Sequence, residues 1–169
     1  MSRRLSFVRA TGAAGFAALL AAALPGVAFA QSAANQEIII TITRVKALEK
    51  IDKYSQADFM ARVTIAGDTI STKQVKQADD IRPNWVIAKR VTPGVHNVKL
   101  EILDKDLTKS EAIDVNRLDK KRDLDFTVDT RSCRVEGFSS TYKCGSAIVR
   151  GGRENKAAAV SFKVEVKKI

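Results

Sequence analysis

Val160-Ser161-Phe162-Lys163-Val164-Glu165-Val166-Lys167 alternates apolar and polar residues at every step. A period of two puts Val160, Phe162, Val164 and Val166 on one face of an extended chain and Ser161, Lys163, Glu165 and Lys167 on the other. The stretch is a strand with one packed face and one wet face, which is the signature of an antiparallel sheet. The same period recurs upstream. Ile38, Ile40 and Ile42 share a face opposite Thr41 and Thr43, and Phe59, Ala61, Val63 and Ile65 form a second set. Gly67-Asp68 is a hairpin signal leading into Thr69–Lys73. Asn84–Val91, with Trp85, makes another strand, ended by Pro93-Gly94. Val98, Leu100 and Ile102 alternate against Lys99 and Glu101, and Ile113–Val115 and Leu124–Val128 are shorter. No amphipathic helix longer than two turns, internal repeat or low-complexity tract is present. Short strands with turns between them predict an all-β, antiparallel sandwich or barrel.

The N-terminus is of a different kind. Arg3, Arg4 and Arg9 precede an apolar run from Ala13 to Leu24, then Pro25-Gly26, then Ala28-Phe29-Ala30. A basic start, a short apolar stretch and small residues before the cut are the parts of a cleavable signal peptide over residues 1–30. Twelve apolar residues fall short of the roughly 20 that span a bilayer. Ser2-Arg3-Arg4 hints at the twin-arginine route, but Phe7 comes one residue late, so an ordinary secretory signal is expected. Export to a periplasmic or extracellular space follows, with residues 31–36 as a leader and 37–169 as one domain. Beyond residue 30 the chain keeps 26 of its 29 Lys+Arg against all 19 acids, a net charge of +7. No second apolar run reaches membrane-spanning length.

Cys133 and Cys144 are the only cysteines, and both lie in the exported part. An even count in an oxidising compartment favours a disulfide over a two-cysteine metal site, the more so because the only histidine, His96, is distant in sequence. Such a bridge closes about a dozen residues and stabilises by roughly 3 kcal/mol in the chain-entropy model. His96 follows Pro93-Gly94-Val95 at the start of a strand and reads as a turn histidine. With one histidine, no Gly-x-Ser-x-Gly and no nucleotide loop, hydrolytic triads and phosphate cradles are not expected.

The acids are more informative. Asp52 and Asp58 stand six apart between two strands, Asp104 and Asp106 two apart at a strand end, and Glu111 five further on. Loop carboxylates in close groups suit calcium, which takes six to eight oxygens at about 2.3–2.6 Å. Asp is also common in turns for its own hydrogen-bonding reasons.

These residues resemble the C2 domain, an eight-stranded calcium-dependent phospholipid-binding sandwich. Asp52, five residues, then Asp58-Phe59 is similar to the family's first loop. Arg82-Pro83-Asn84-Trp85 resembles its Asn-Pro-x-Trp-Asn motif with Pro and Asn exchanged. Ile102-Leu103-Asp104-Lys105-Asp106 resembles its third-loop Val-x-Asp-x-Asp. The match covers about residues 37–115. A start on the strand before the first loop and an end on a long strand resemble the permuted, type II topology. The resemblance implies Asp52, Asp58, Asp104, Asp106 and Glu111 as calcium ligands. It also implies a basic face of Lys73, Lys76, Lys89, Arg90 and Lys99 facing anionic lipid or another polyanion. Departures are plain: no Pro-Tyr follows Asp58, Ala112 stands where a fifth acid belongs, and Lys53 and Lys105 sit beside the ligands, where their charge weakens calcium binding. A calcium-free relative is the other reading of the acids, and ordinary solvated strand faces the other reading of the lysines.

Three functions follow. The first is an exported, non-catalytic module docking on an anionic membrane surface or another polyanion, with or without calcium. The second is a disulfide-stapled basic sandwich that binds or inhibits another exported protein. The third, an enzyme, would need a nucleophile and base, and the only pairings are carboxylates with no histidine in reach. Nucleic acid is not expected, since no aromatic stacking platform is present and the compartment is wrong.

Overall fold

The structure, a computed structural model, describes residues 35–52, 55–106 and 109–169. The expected signal peptide lies outside the described residues, as does the leader up to residue 34. Gln36, the last leader position, is the first residue of β1.

Among the described residues every regular element is a strand. One sheet is built on β1 (Gln36–Ala47), which pairs antiparallel with the last strand, β12 (Ala158–Lys168), along its whole length. β11 (Ile148–Gly151) flanks β12. The other edge of β1 carries β5 (Trp85–Val91) and, in line with it, the short β4 (Asp80–Ile81). The second sheet centres on β6 (Val95–Lys105), with β2 (Phe59–Ile65) on one side and β3 (Asp68–Ser71) beyond it. On its other side β7 (Ser110–Ile113) and β8 (Leu124–Asp129) follow one another along the same edge. β9 (Arg134–Glu136) and β10 (Tyr142–Lys143) complete it.

The sequence led to eight strands; the described residues form twelve segments. The excess arises because two lanes are each divided between two segments and because the hairpin β9–β10 is added. The antiparallel two-sheet sandwich is as expected; the structure adds that the first strand lies beside the last. Two smaller differences have local causes. The β2–β3 turn residues are Ala66 and Gly67, with φ of 50° and 90°, and Asp68 already belongs to β3. A two-residue hairpin of this hand needs positive φ at both positions. Ile113–Val115 is cut short at Ile113 because Asp114 turns to pair with the β11–β12 loop.

Alternation sets the core. Ile38, Ile40 and Ile42 of β1 and Val160, Phe162 and Val164 of β12 meet Phe59, Val63, Leu100 and Ile102 of the facing sheet, all at 0–1% exposure. A register shift between Ile42 and Arg44 reverses the parity of β1, so Val45 is buried while Arg44 turns out to Asp80 at 2.8 Å. An inserted residue of this kind bends a strand and re-aims its side chains.

Cys133 and Cys144 are bonded, closing β9–β10, and the Cys144 N–H donates to the Cys133 carbonyl at 3.0 Å. The hairpin holds Phe138 against Phe126 and Phe162, with ring centroids 5.3 and 6.4 Å away. Among the described residues no helix is long and apolar enough to cross a membrane.

Candidate functional site

The strand ends bring the predicted acids to one end of the sandwich, but not as an open cage. Asp104 is the last inward position of β6, 3% exposed, opposite Phe59. Its carboxylate accepts the Asp58 backbone N–H at 2.8 Å, and the Lys105 N–H donates to the Asp58 carbonyl at 3.0 Å. Burial pushes the Asp104 carboxyl up from its ordinary range; the Asp58 N–H opposes the shift, and the Asp106 and Asp52 charges add to it. Asp58 is engaged at both oxygens: the Gln77 N–H donates to one and the Gln74 amide to the other, each at 2.7 Å. Gln77 lies in the left-handed region (φ 51°), which aims its N–H at the carboxylate. Asp52 accepts from the Ser55 hydroxyl, and Asp106 is exposed.

Glu111 is held by two ammonium groups, Lys109 and Lys156. Their hydrogen bonds hold its carboxyl down to about 2. Lys156 also lies close enough to Asp104 for its charge to favour the ionised carboxylate there.

These contacts bear on calcium coordination. The ion needs six to eight oxygens. Asp58 spends both of its oxygens on hydrogen bonds that knit two loops, and Glu111 spends both of its oxygens on lysines. Among the described residues no group of three or more His, Cys, Asp or Glu is placed to hold a metal. The described residues do not fit the ion.

The five predicted cations do not share a face. Lys89 and Arg90 are neighbours on β5 and project to opposite sides, as successive strand residues must. Lys89 reaches the edge of the other sheet and pairs with Asp68. Lys99 lies on the outer face of that second sheet, 2.6 Å from Asp123. The same face carries Arg62 on Glu101 at 2.8 Å and Lys121 on Asp125 at 2.6 Å, so its charge is largely balanced. Lys73 and Lys76 lie in the irregular stretch after β3. The His96 ring serves the β5–β6 turn, its Nε2 contacting the Thr92 carbonyl at 2.7 Å.

One buried carboxylate has no counterpart among the predicted site residues. Asp114, at 0% exposure, accepts the N–H groups of Asn116 (2.9 Å), Arg153 (2.8 Å) and Glu154 (2.7 Å). It fastens the β11–β12 loop to the second sheet. Gly152 packs so closely on it that an added Cβ would lie 2.1 Å from the Asp114 carbonyl oxygen. Gly151-Gly152 was the one local hint of a close approach.

The fold so built is that of C2 domains. The first C2 domain of plant extended synaptotagmin 1 superimposes with a TM-score of 0.56 at 11% identity, covering 80% of this chain and 96% of that one. The tandem C2 domains of extended synaptotagmin 2 give 0.59 at 11% identity over 90% of this chain and 48% of that one; their calcium-bound form gives 0.57 at 12% over 82% and 48%. Human GIVD cytosolic phospholipase A2 gives 0.51 at 13% identity over 80% of this chain. The present chain spans 18% of that phospholipase's length. No family model matches the chain, and no curated protein matches it. Likeness at such identities carries the fold and not the chemistry.

Proposed function

We propose that this chain is an exported, non-catalytic C2-like module that docks on an anionic lipid surface without a resident calcium ion. The observation that carries the reading is the pairing of Glu111 with Lys109 and Lys156 at the loop end of the sandwich. Where the C2 resemblance implies a calcium ligand, the carboxylate is already held by the chain's own ammonium groups, which supports docking that needs no calcium. The net charge of +7 beyond residue 30 supports attraction to an acidic membrane, with each Lys or Arg near such a surface contributing about 1 kcal/mol. No step of this docking needs a nucleophile, a base or a bound cofactor.

The lipid part is tested by co-sedimentation of the purified protein with phosphatidylcholine vesicles, with and without phosphatidylglycerol. Binding is expected only to the anionic vesicles and weakens as salt rises, because surface charge is screened. Equal binding to neutral vesicles, or none to either, overturns the reading.

A further inference from the structure

Arg117 follows Asn116 in the β7–β8 connection, and Arg150 lies on β11, yet the two line the same pair of adjoining cavities. One, of about 540 Å³, is completed by Leu118, Lys121 and Phe138; the other, of about 360 Å³, by Leu48 and Val149. Among the described residues neither arginine has a carboxylate partner; Asp125, which also lines the larger cavity, pairs with Lys121 at 2.6 Å, and Asp119 with Arg153. The Arg150 guanidinium is oriented by the Phe138 ring, its central carbon 4.8 Å from the centroid. Phe138 is in turn carried by the disulfide-closed β9–β10 segment.

The rim is apolar. Leu48, Leu118 and Val149 are 52%, 64% and 62% exposed, half of the six large hydrophobic side chains exposed among the described residues. Two uncompensated guanidinium groups between separated apolar side chains have the make-up of a membrane-interface contact. The planar guanidinium forks match phosphate oxygens in pairs, and exposed Leu and Val enter the boundary between headgroups and acyl chains. A protein partner would favour a continuous apolar centre; here Arg117 and Arg150 line both cavities, and Val149 and Arg150 project to opposite sides of the edge strand β11, so the apolar side chains are separated by the charges.

We propose that this groove, and neither the acidic loops nor the strand lysines, is where the protein meets the membrane, with the Arg117 and Arg150 guanidiniums taking the phosphates of anionic phospholipid headgroups. This rests on the lipid-docking reading above.

The test is vesicle co-sedimentation with phosphatidylglycerol-containing vesicles in chelator, using three variants whose melting curves match the unsubstituted protein. Arg117→Gln/Arg150→Gln is expected to bind roughly thirtyfold more weakly, about fivefold per arginine. Leu118→Ser/Val149→Ser, with charge unchanged, is expected to weaken binding as well. Arg131→Gln/Lys168→Gln removes the same charge from the far end of β1, where Gln36 pairs with Lys168 and contacts Thr130, and is expected to bind within about threefold of the unsubstituted protein. Unsubstituted protein that binds no vesicle at all defeats the lipid reading itself. Binding that survives in the arginine variant, or is lost equally in the Arg131/Lys168 control, leaves the lipid reading standing and overturns this surface.

Discussion

Lys156 and Glu111 are joined by an ion pair across 45 positions of the chain, tying the β11–β12 loop to β7 where the C2 resemblance implies a calcium ligand. Lys109 closes on the same carboxylate from the side.

The pair sets a pH dependence with a defined sign. The folded Glu111 carboxyl lies at about 2, below its ordinary 4.5. A depressed carboxyl contributes stability that is fully present above about pH 4.5 and is lost as pH falls toward 2. Urea unfolding of the protein and of Glu111→Gln should therefore differ at pH 6 and converge near pH 2, with a smaller difference in high salt. A gap that stays constant with pH would mean that the pairing does not operate in solution.

Asp104 works in the opposite sense. Burial raises its folded pKa above the unfolded value, so its charge costs stability at neutral pH, and the cost disappears as pH falls through the folded pKa toward the unfolded one. Asp104→Asn keeps an acceptor for the Asp58 N–H and removes the charge, and should leave stability at pH 7 unchanged or higher. Asp104→Ala strands that N–H and should lower stability by about 1–3 kcal/mol. Chemical denaturation of both variants checks the contrast.

Asp114 and Gly152 pack with no room for a side chain between them. Asp114→Ala leaves three N–H donors without their acceptor and should lower stability by about 3 kcal/mol or more. Gly152→Ala forces the β11–β12 loop off the Asp114 carbonyl and should also destabilise. Thermal melts would register each as a fall in Tm of several degrees.

Replacing both lysines should release Glu111. Millimolar calcium should leave Tm unchanged in the unsubstituted protein and in Lys109→Gln/Lys156→Gln alike, because Asp58 stays engaged at both oxygens and a ligand raises Tm only where the folded state binds it. A shift in the double variant alone would mean that the lysines, and not the Asp58 contacts, exclude the ion. A shift in the unsubstituted protein would mean that neither does.

The sandwich was legible because strict alternation, as in Val160–Lys167, fixes both the element and its buried face. Asp52, Asp58 and Asp104 were legible as residues that meet at one end, since spacing relative to strand ends decides that. Their roles were not, because these depend on partners brought in from elsewhere: Gln74 and Gln77 from the next loop for Asp58, Lys156 from near the C-terminus for Glu111. The five predicted cations read as one face until register assigned Lys89 and Lys99 to different sheets and gave each an acid. Asp114 and Arg150 were silent for the same reason. An Asp after a strand and an Arg beside two glycines are ordinary locally, and only the tertiary fold buries the first and leaves the second unpaired.

Docking on anionic lipid without calcium is decided by co-sedimentation with phosphatidylglycerol-containing vesicles, first in chelator and then in millimolar calcium. Binding should be present in chelator and unchanged on adding calcium. Binding that appears only when calcium is added would contradict the claim.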